Sequence, residues 1–152
     1  MLVAPGIFAL VNVSDFSGVP SIVMRFNGKD PALGPGADTF MGYECRFVQP
    51  GGRSPTLVAG IGYHNHMYTD LKDVTTNIPV PKHAGEAVAL RVEIRQGTKS
   101  GPVTFKMLLN GVAVLTFTDT DQTRVTAVDG AEIALRAFTG KATFKDLKFG
   151  SL

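Results

Sequence analysis

The chain has no tryptophan and a single cysteine among 152 residues. Without tryptophan, any flat stacking surface falls to tyrosine and histidine. The lone Cys45 cannot close an internal disulfide and has no base at matching spacing. It therefore reads as a small core residue on the same alternating face as Tyr43 and Phe47. Charge is sparse at 18%, and the 15 Lys and Arg residues exceed the 13 Asp and Glu residues only slightly and without clustering. A phosphate-neutralising surface needs a concentrated basic stripe, so no nucleic-acid partner is expected. The opening MLVAPGIFALVNVSDF has neither a basic leader nor a long apolar run, so it is read as neither export signal nor membrane span. No window of a dozen residues sustains apolar positions at helical spacing, and no helix is expected anywhere.

What the chain does have is turns and alternation. Its 17 glycines and 9 prolines punctuate short segments in which apolar residues recur every second position. From Leu90, the alternation places Leu90, Val92 and Ile94 on one face and Arg91, Glu93 and Arg95 on the other. Asn110-Gly111 divides the next apolar stretch into a hairpin, because a type I′ turn needs positive φ at both central residues. IFALVNVSDF, SIVMRFNG, FMGYECRFVQ and TLVAGIGYHNH read as earlier strands. The Pro- and Gly-rich segment 29–38 is a loop, and residues 67–86, where the period is lost, read as a second, longer one. Nine to ten strands in one domain, residues 1–152, make an all-β antiparallel sandwich.

With the strands laid out, the segment from Val88 to Leu152 resembles the concanavalin A-like lectin and glucanase jelly rolls, including laminin-G-like modules and 3-keto-glycoside hydrolase-like domains. The resemblance is carried by Arg91-Val92-Glu93-Ile94-Arg95 and its following turn, the Leu109-Asn110-Gly111 hairpin, Gly130-Ala131-Glu132-Ile133-Ala134-Leu135-Arg136, and the closing Ala142 to Phe149 strand. In that last strand Phe144 and Leu147 are three apart, so both reach the core only across a β-bulge. The resemblance implies a jelly-roll sandwich and a choice among glycan binding, calcium-dependent adhesion, polysaccharide cleavage and virion accessory roles.

Cleavage in such folds rests on two carboxylates on one sheet face, about 5 to 9.5 Å apart. The glucanase-like members carry a Glu-x-Asp-x-x-Glu-type run, which this sequence lacks. Glu44, Glu93 and Glu132 are each alone on their strands with an arginine nearby, as expected of cross-strand ion pairs on a solvated face. No catalytic residue is assigned. His64 and His66 share a face with Gly60 and Gly62, but a metal needs further ligands, and no metal site is assigned. Calcium is the one cation with candidate oxygen donors, in Asp70, Asp73 and Asn77 or in Asp119 and Asp121, residues that more often cap turns; no cofactor is otherwise expected.

Arg46, Tyr63, His64, Asn65, His66, Tyr68 and Arg95 remain as a polar, aromatic rim suited to glycan or polysaccharide contact. The expected function is a non-catalytic, lectin-like recognition module. It would be displayed in several copies on a larger assembly such as a phage tail or capsid, outside a host cell or on a virion. The partners expected are glycans, other subunits of the assembly and further copies of the chain, with no membrane contact. The alternative is a sandwich that only docks to its neighbours, and the third reading is a glycoside-cleaving enzyme.

Overall fold

The computed structural model describes residues 6–27, 40–51, 54–65, 67–98, 100–127 and 132–152. The loop expected over 29–38 lies outside the described residues. Ten strands are present among them: β1 (Ile7–Ser14), β2 (Val19–Asn27), β3 (Met41–Val48), β4 (Thr56–Asn65), β5 (Tyr68–Pro79), β6 (Val88–Gln96), β7 (Val103–Leu109), β8 (Val112–Asp119), β9 (Glu132–Phe138) and β10 (Thr143–Ser151). They form two five-stranded sheets, ordered β10-β1-β6-β7-β8 and β5-β4-β3-β2-β9, with antiparallel pairing throughout.

The core lies between the sheets, filled by the apolar phase of each alternating strand. Ala9, Val11 and Val13 of β1, Leu90, Val92 and Ile94 of β6, and Phe105 and Met107 of β7 meet Ile22 and Met24 of β2, Tyr43, Cys45 and Phe47 of β3, and Leu57, Ala59 and Ile61 of β4. Burying a side chain of this size contributes about 1.5–3 kcal/mol, which is why one parity of each strand is driven inward. The sandwich expected from the sequence is therefore the fold observed.

The hairpin between β7 and β8 has both Asn110 and Gly111 at positive φ, as a type I′ turn requires. In β10 a bulge does interrupt the pairing with β1: Leu10 faces Lys148 and Asn12 faces Lys145, with Asp146 at positive φ. Phe144 packs on the core as expected, but Leu147 stays exposed because β10 is an edge strand at the rim of the sandwich.

Two expectations are corrected. Residues 67–86 are not a loop throughout, since Tyr68–Pro79 form a twelve-residue strand at the edge of its sheet. Most of that strand is exposed on both faces, so it carries no apolar alternation for a sequence reading to find. A short helix, α1 (Gln122–Ala127), also follows β8. Asp121 caps it by accepting from the Arg124 backbone N–H at 3.2 Å, and Val125 anchors it in the core.

Candidate functional site

Strand register builds the site on the outer face of the β5-β4-β3-β2-β9 sheet. One row across it reads Arg136, Ser21, Arg46, Gly60 and Asp73, and the next reads Ala134, Val23, Glu44 and Gly62, with Asp70 opposite Gly62. A third row holds Gly42, His64 and Tyr68. Above these rows lies a pocket of about 240 Å³ lined by Val19, Glu44, Arg46, His64, Tyr68, Asp70, Arg136 and Phe138.

The floor is charged and nearly dry. Glu44 is 2% exposed and His64 1%, and the Glu44 Oε2 atom makes a short hydrogen bond with His64 Nε2. Arg136 Nη1 donates to the same oxygen at 2.8 Å. Burial opposes ionisation of Glu44. The His64 hydrogen bond and the charges of Arg136, His64 and Arg46 outweigh it together, and the carboxyl sits below its ordinary range. An ionised carboxylate can only accept, so the shared proton belongs to His64 Nε2. The imidazole is held from above by Phe40, with ring centroids 4.4 Å apart, and by Tyr68 at 5.0 Å.

The rim is built by side chains leaning across small residues. A Cβ on Gly62 would run into the Tyr68 ring, and one on Gly60 would run into Asp73 Oδ1 and crowd Arg46. The two glycines therefore do not leave a bare strip of sheet: Tyr68 lies over one, and the Arg46–Asp73 ion pair lies over the other. Arg46 Nη2 binds Asp70 Oδ1 at 2.6 Å and Asp73 Oδ1 at 3.0 Å, and Tyr68 donates its hydroxyl to Asp70 Oδ1 at 2.6 Å. Across the pocket, the Arg136 guanidinium stacks on Phe138 at 4.6 Å. Two buried polar atoms of the Arg136–Ser21–Arg46 row, Ser21 Oγ and Arg46 Nη1, have no hydrogen-bond partner.

Of the residues singled out from the sequence, Arg46, His64 and Tyr68 come together here. His64 does so from beneath, sealed by Phe40 and Tyr68 and not open at the surface as expected. Tyr63 has the opposite parity; its ring lies in the inter-sheet core, 5.2 Å from that of Tyr43. Asn65 is exposed on Tyr63's side of the strand alternation, past the pocket. Arg95 stands on the outer face of the other sheet, beside Glu93. His66 lies outside the described residues.

Glu44 also departs from the solvated ion pair that was expected, because the rings of Phe40 and Tyr68 close over its partner His64. Arg136, Phe40, Phe138 and Asp70 complete the site; none of them was read as a saccharide contact, and Asp70 was weighed only as a calcium donor. The signal that could have found Arg136 is its register, which places it beyond Ser21 from Arg46.

The other acidic group is structural. Asp119 is buried, accepts from the Tyr43 hydroxyl at 2.8 Å and from Arg124 Nε and Nη2 at 2.8 and 2.9 Å, and receives the Asp121 backbone N–H at 3.1 Å. These bonds tie β3, β8 and α1 together. Among the described residues no three His, Cys, Asp or Glu side chains converge on a point a metal could occupy.

No family model matches the chain. No curated protein matches it either. Among solved structures, the chain is similar to an alginate lyase mutant determined in complex with an alginate tetrasaccharide, at 15% identity and a TM-score of 0.49. The match covers 97% of this chain and 62% of that one, so this chain spans less than two thirds of that protein's length.

Proposed function

We propose that this chain is a lectin-like recognition module of the concanavalin A-like kind, which binds a saccharide on the outer face of the β5-β4-β3-β2-β9 sheet. The observation that carries the reading is the pocket between Tyr68 and Phe138, with apolar ring surface on two sides and charged hydrogen-bonding groups below. Sugar rings need both, a C–H face to lie on an aromatic and hydroxyls to meet planar polar groups. A volume of about 240 Å³ is below the range of about 300–1,000 Å³ that encloses a drug-sized ligand. That size suits one ring or one chain end more than a buried oligosaccharide.

Recognition is favoured over bond cleavage because the Tyr68 hydroxyl is committed to Asp70, and Glu44 and His64 are sealed at the pocket floor and hydrogen-bonded to each other. Their role is to hold Arg136 and support the Tyr68 ring. A single shallow site binds weakly, so useful affinity comes from several copies displayed together, on a virion or another extracellular assembly. The test is a glycan array probed with multimerised protein. Binding that is lost in Tyr68→Ala and retained in Arg95→Ala supports the site; silence across the array favours the alternative, a sandwich that only docks to neighbouring subunits.

A further inference from the structure

We infer that the saccharide taken by this pocket is neutral, and that Asp70 is the residue that turns uronates away; the inference rests on the proposed recognition function. The first ground is which charges an entering ligand meets. The Arg46 side chain is 12% exposed and that of Arg136 21%, whereas Asp70 is 65% exposed and Asp73 51%. The cations are packed down against the sheet, Asp70 stands exposed in the pocket wall, and Asp73 is exposed on the same Arg46 guanidinium.

The second ground is that each guanidinium is already matched. Arg136 is held by Glu44 at 2.8 Å, and Arg46 by Asp70 at 2.6 Å and Asp73 at 3.0 Å. Two arginines face three carboxylates, Glu44, Asp70 and Asp73, so neither guanidinium is left over for a ligand anion. A uronate carboxylate entering here would have to displace a resident carboxylate or lie beside Asp70, and either arrangement opposes binding.

Neutral hydroxyls meet no such obstacle. Among the described residues Asp70 Oδ1 accepts from Arg46 and Tyr68, while Oδ2 has no hydrogen bond, so a sugar hydroxyl can donate to it. At the floor, Arg46 Nη1 is buried without a partner. A hydroxyl oxygen accepts as well as donates, so it can serve that N–H, and leaving such a group unmet costs about 1–3 kcal/mol.

The experiment is calorimetric titration of the full chain with a panel of hexose oligosaccharides and their uronate counterparts of equal length and linkage, at low and at high salt. The expected result is binding of one or more hexose oligosaccharides, with the matching uronate about fivefold weaker at low salt and the gap narrowing as salt rises. In Asp70→Asn, and to a lesser degree in Asp73→Asn, the uronate gains on its neutral counterpart. Both side chains are exposed, and a far-UV spectrum confirms that each variant is folded. Uronates that bind ahead of hexoses, or a ratio unmoved in both variants, overturn the inference and leave saccharide recognition standing. Silence from the whole panel overturns recognition itself.

Discussion

On the sheet containing β6, Glu93 has Arg91 and Arg95 two residues away on either side, at 3.2 and 3.5 Å, with Phe8 and Lys106 opposite it on the neighbouring strands. On the sheet containing β3, Glu44 has Arg46 two residues on, yet its carboxylate is bound by His64 and Arg136 beneath a layer of rings. The local sequence is nearly the same. The neighbours are not: beside Glu93 stand long side chains that rise from the sheet, and beside Glu44 lies Gly62, over which Tyr68 folds. What a charged residue does on a sheet face is therefore decided by the size of its cross-strand neighbours, because these determine whether an aromatic can close over it.

The comparison is sharpest in stability. Removing one member of a buried charged pair leaves the other uncompensated, so Glu44→Ala is expected to cost about 3–5 kcal/mol. Glu93→Ala, on a face that water reaches, should cost about 1 kcal/mol or less. Urea unfolding of the two variants beside the parent protein measures both, and equal costs would erase the distinction between the faces.

Acid gives the next effect. Burial resists ionisation of Glu44, and the His64 bond and nearby cations overcome that resistance, so its folded pKa lies below the unfolded value. At mildly acidic pH the unfolded chain then binds more protons, and stability rises with pH. The stability gap between the parent and Glu44→Gln should be fully present above the unfolded carboxylate value of about 4.3 and close as pH falls through the folded value. Asp119 also titrates low: burial raises its pKa, but its bonds to Arg124, the Asp121 amide and Tyr43 more than offset that. It is common to both proteins and cancels in the difference. A gap that persists undiminished in acid would mean that Glu44 contributes by shape and not by charge.

Alternation made most of the fold legible, since a half-buried strand writes its burial into every second residue, as in Leu90, Val92 and Ile94. Edge strand β5 was not legible because its polar residues face water on both sides, and α1 is too short to show a period. In the site, parity correctly placed His64 with Gly60 and Gly62. The same parity separates Tyr63 and Asn65 from them, although all five belong to one strand. Glu44 and Arg136 were missed because their pairing spans two strand intervals, through Val23 and Ser21, and no local pattern reports which side chains meet at that distance.

The smallest effect on folding tests the covering ring itself. In Gly62→Ala the new methyl would collide with the far end of the Tyr68 side chain, which can swing outward, so unfolding should shift by less than about 1 kcal/mol. The displaced ring would give up its stack on His64 and its hydroxyl bond to Asp70, and saccharide affinity should fall by about fivefold to tenfold. Gly150→Ala is the matching change on the other sheet, where the added methyl meets Phe8 at 3.5 Å, an ordinary contact. It should leave both stability and binding unchanged. If the two alanines behave alike in a binding titration, the ring over Gly62 is packing and no part of a site; if only Gly62→Ala weakens binding, the glycine is there so that the pocket can have a wall.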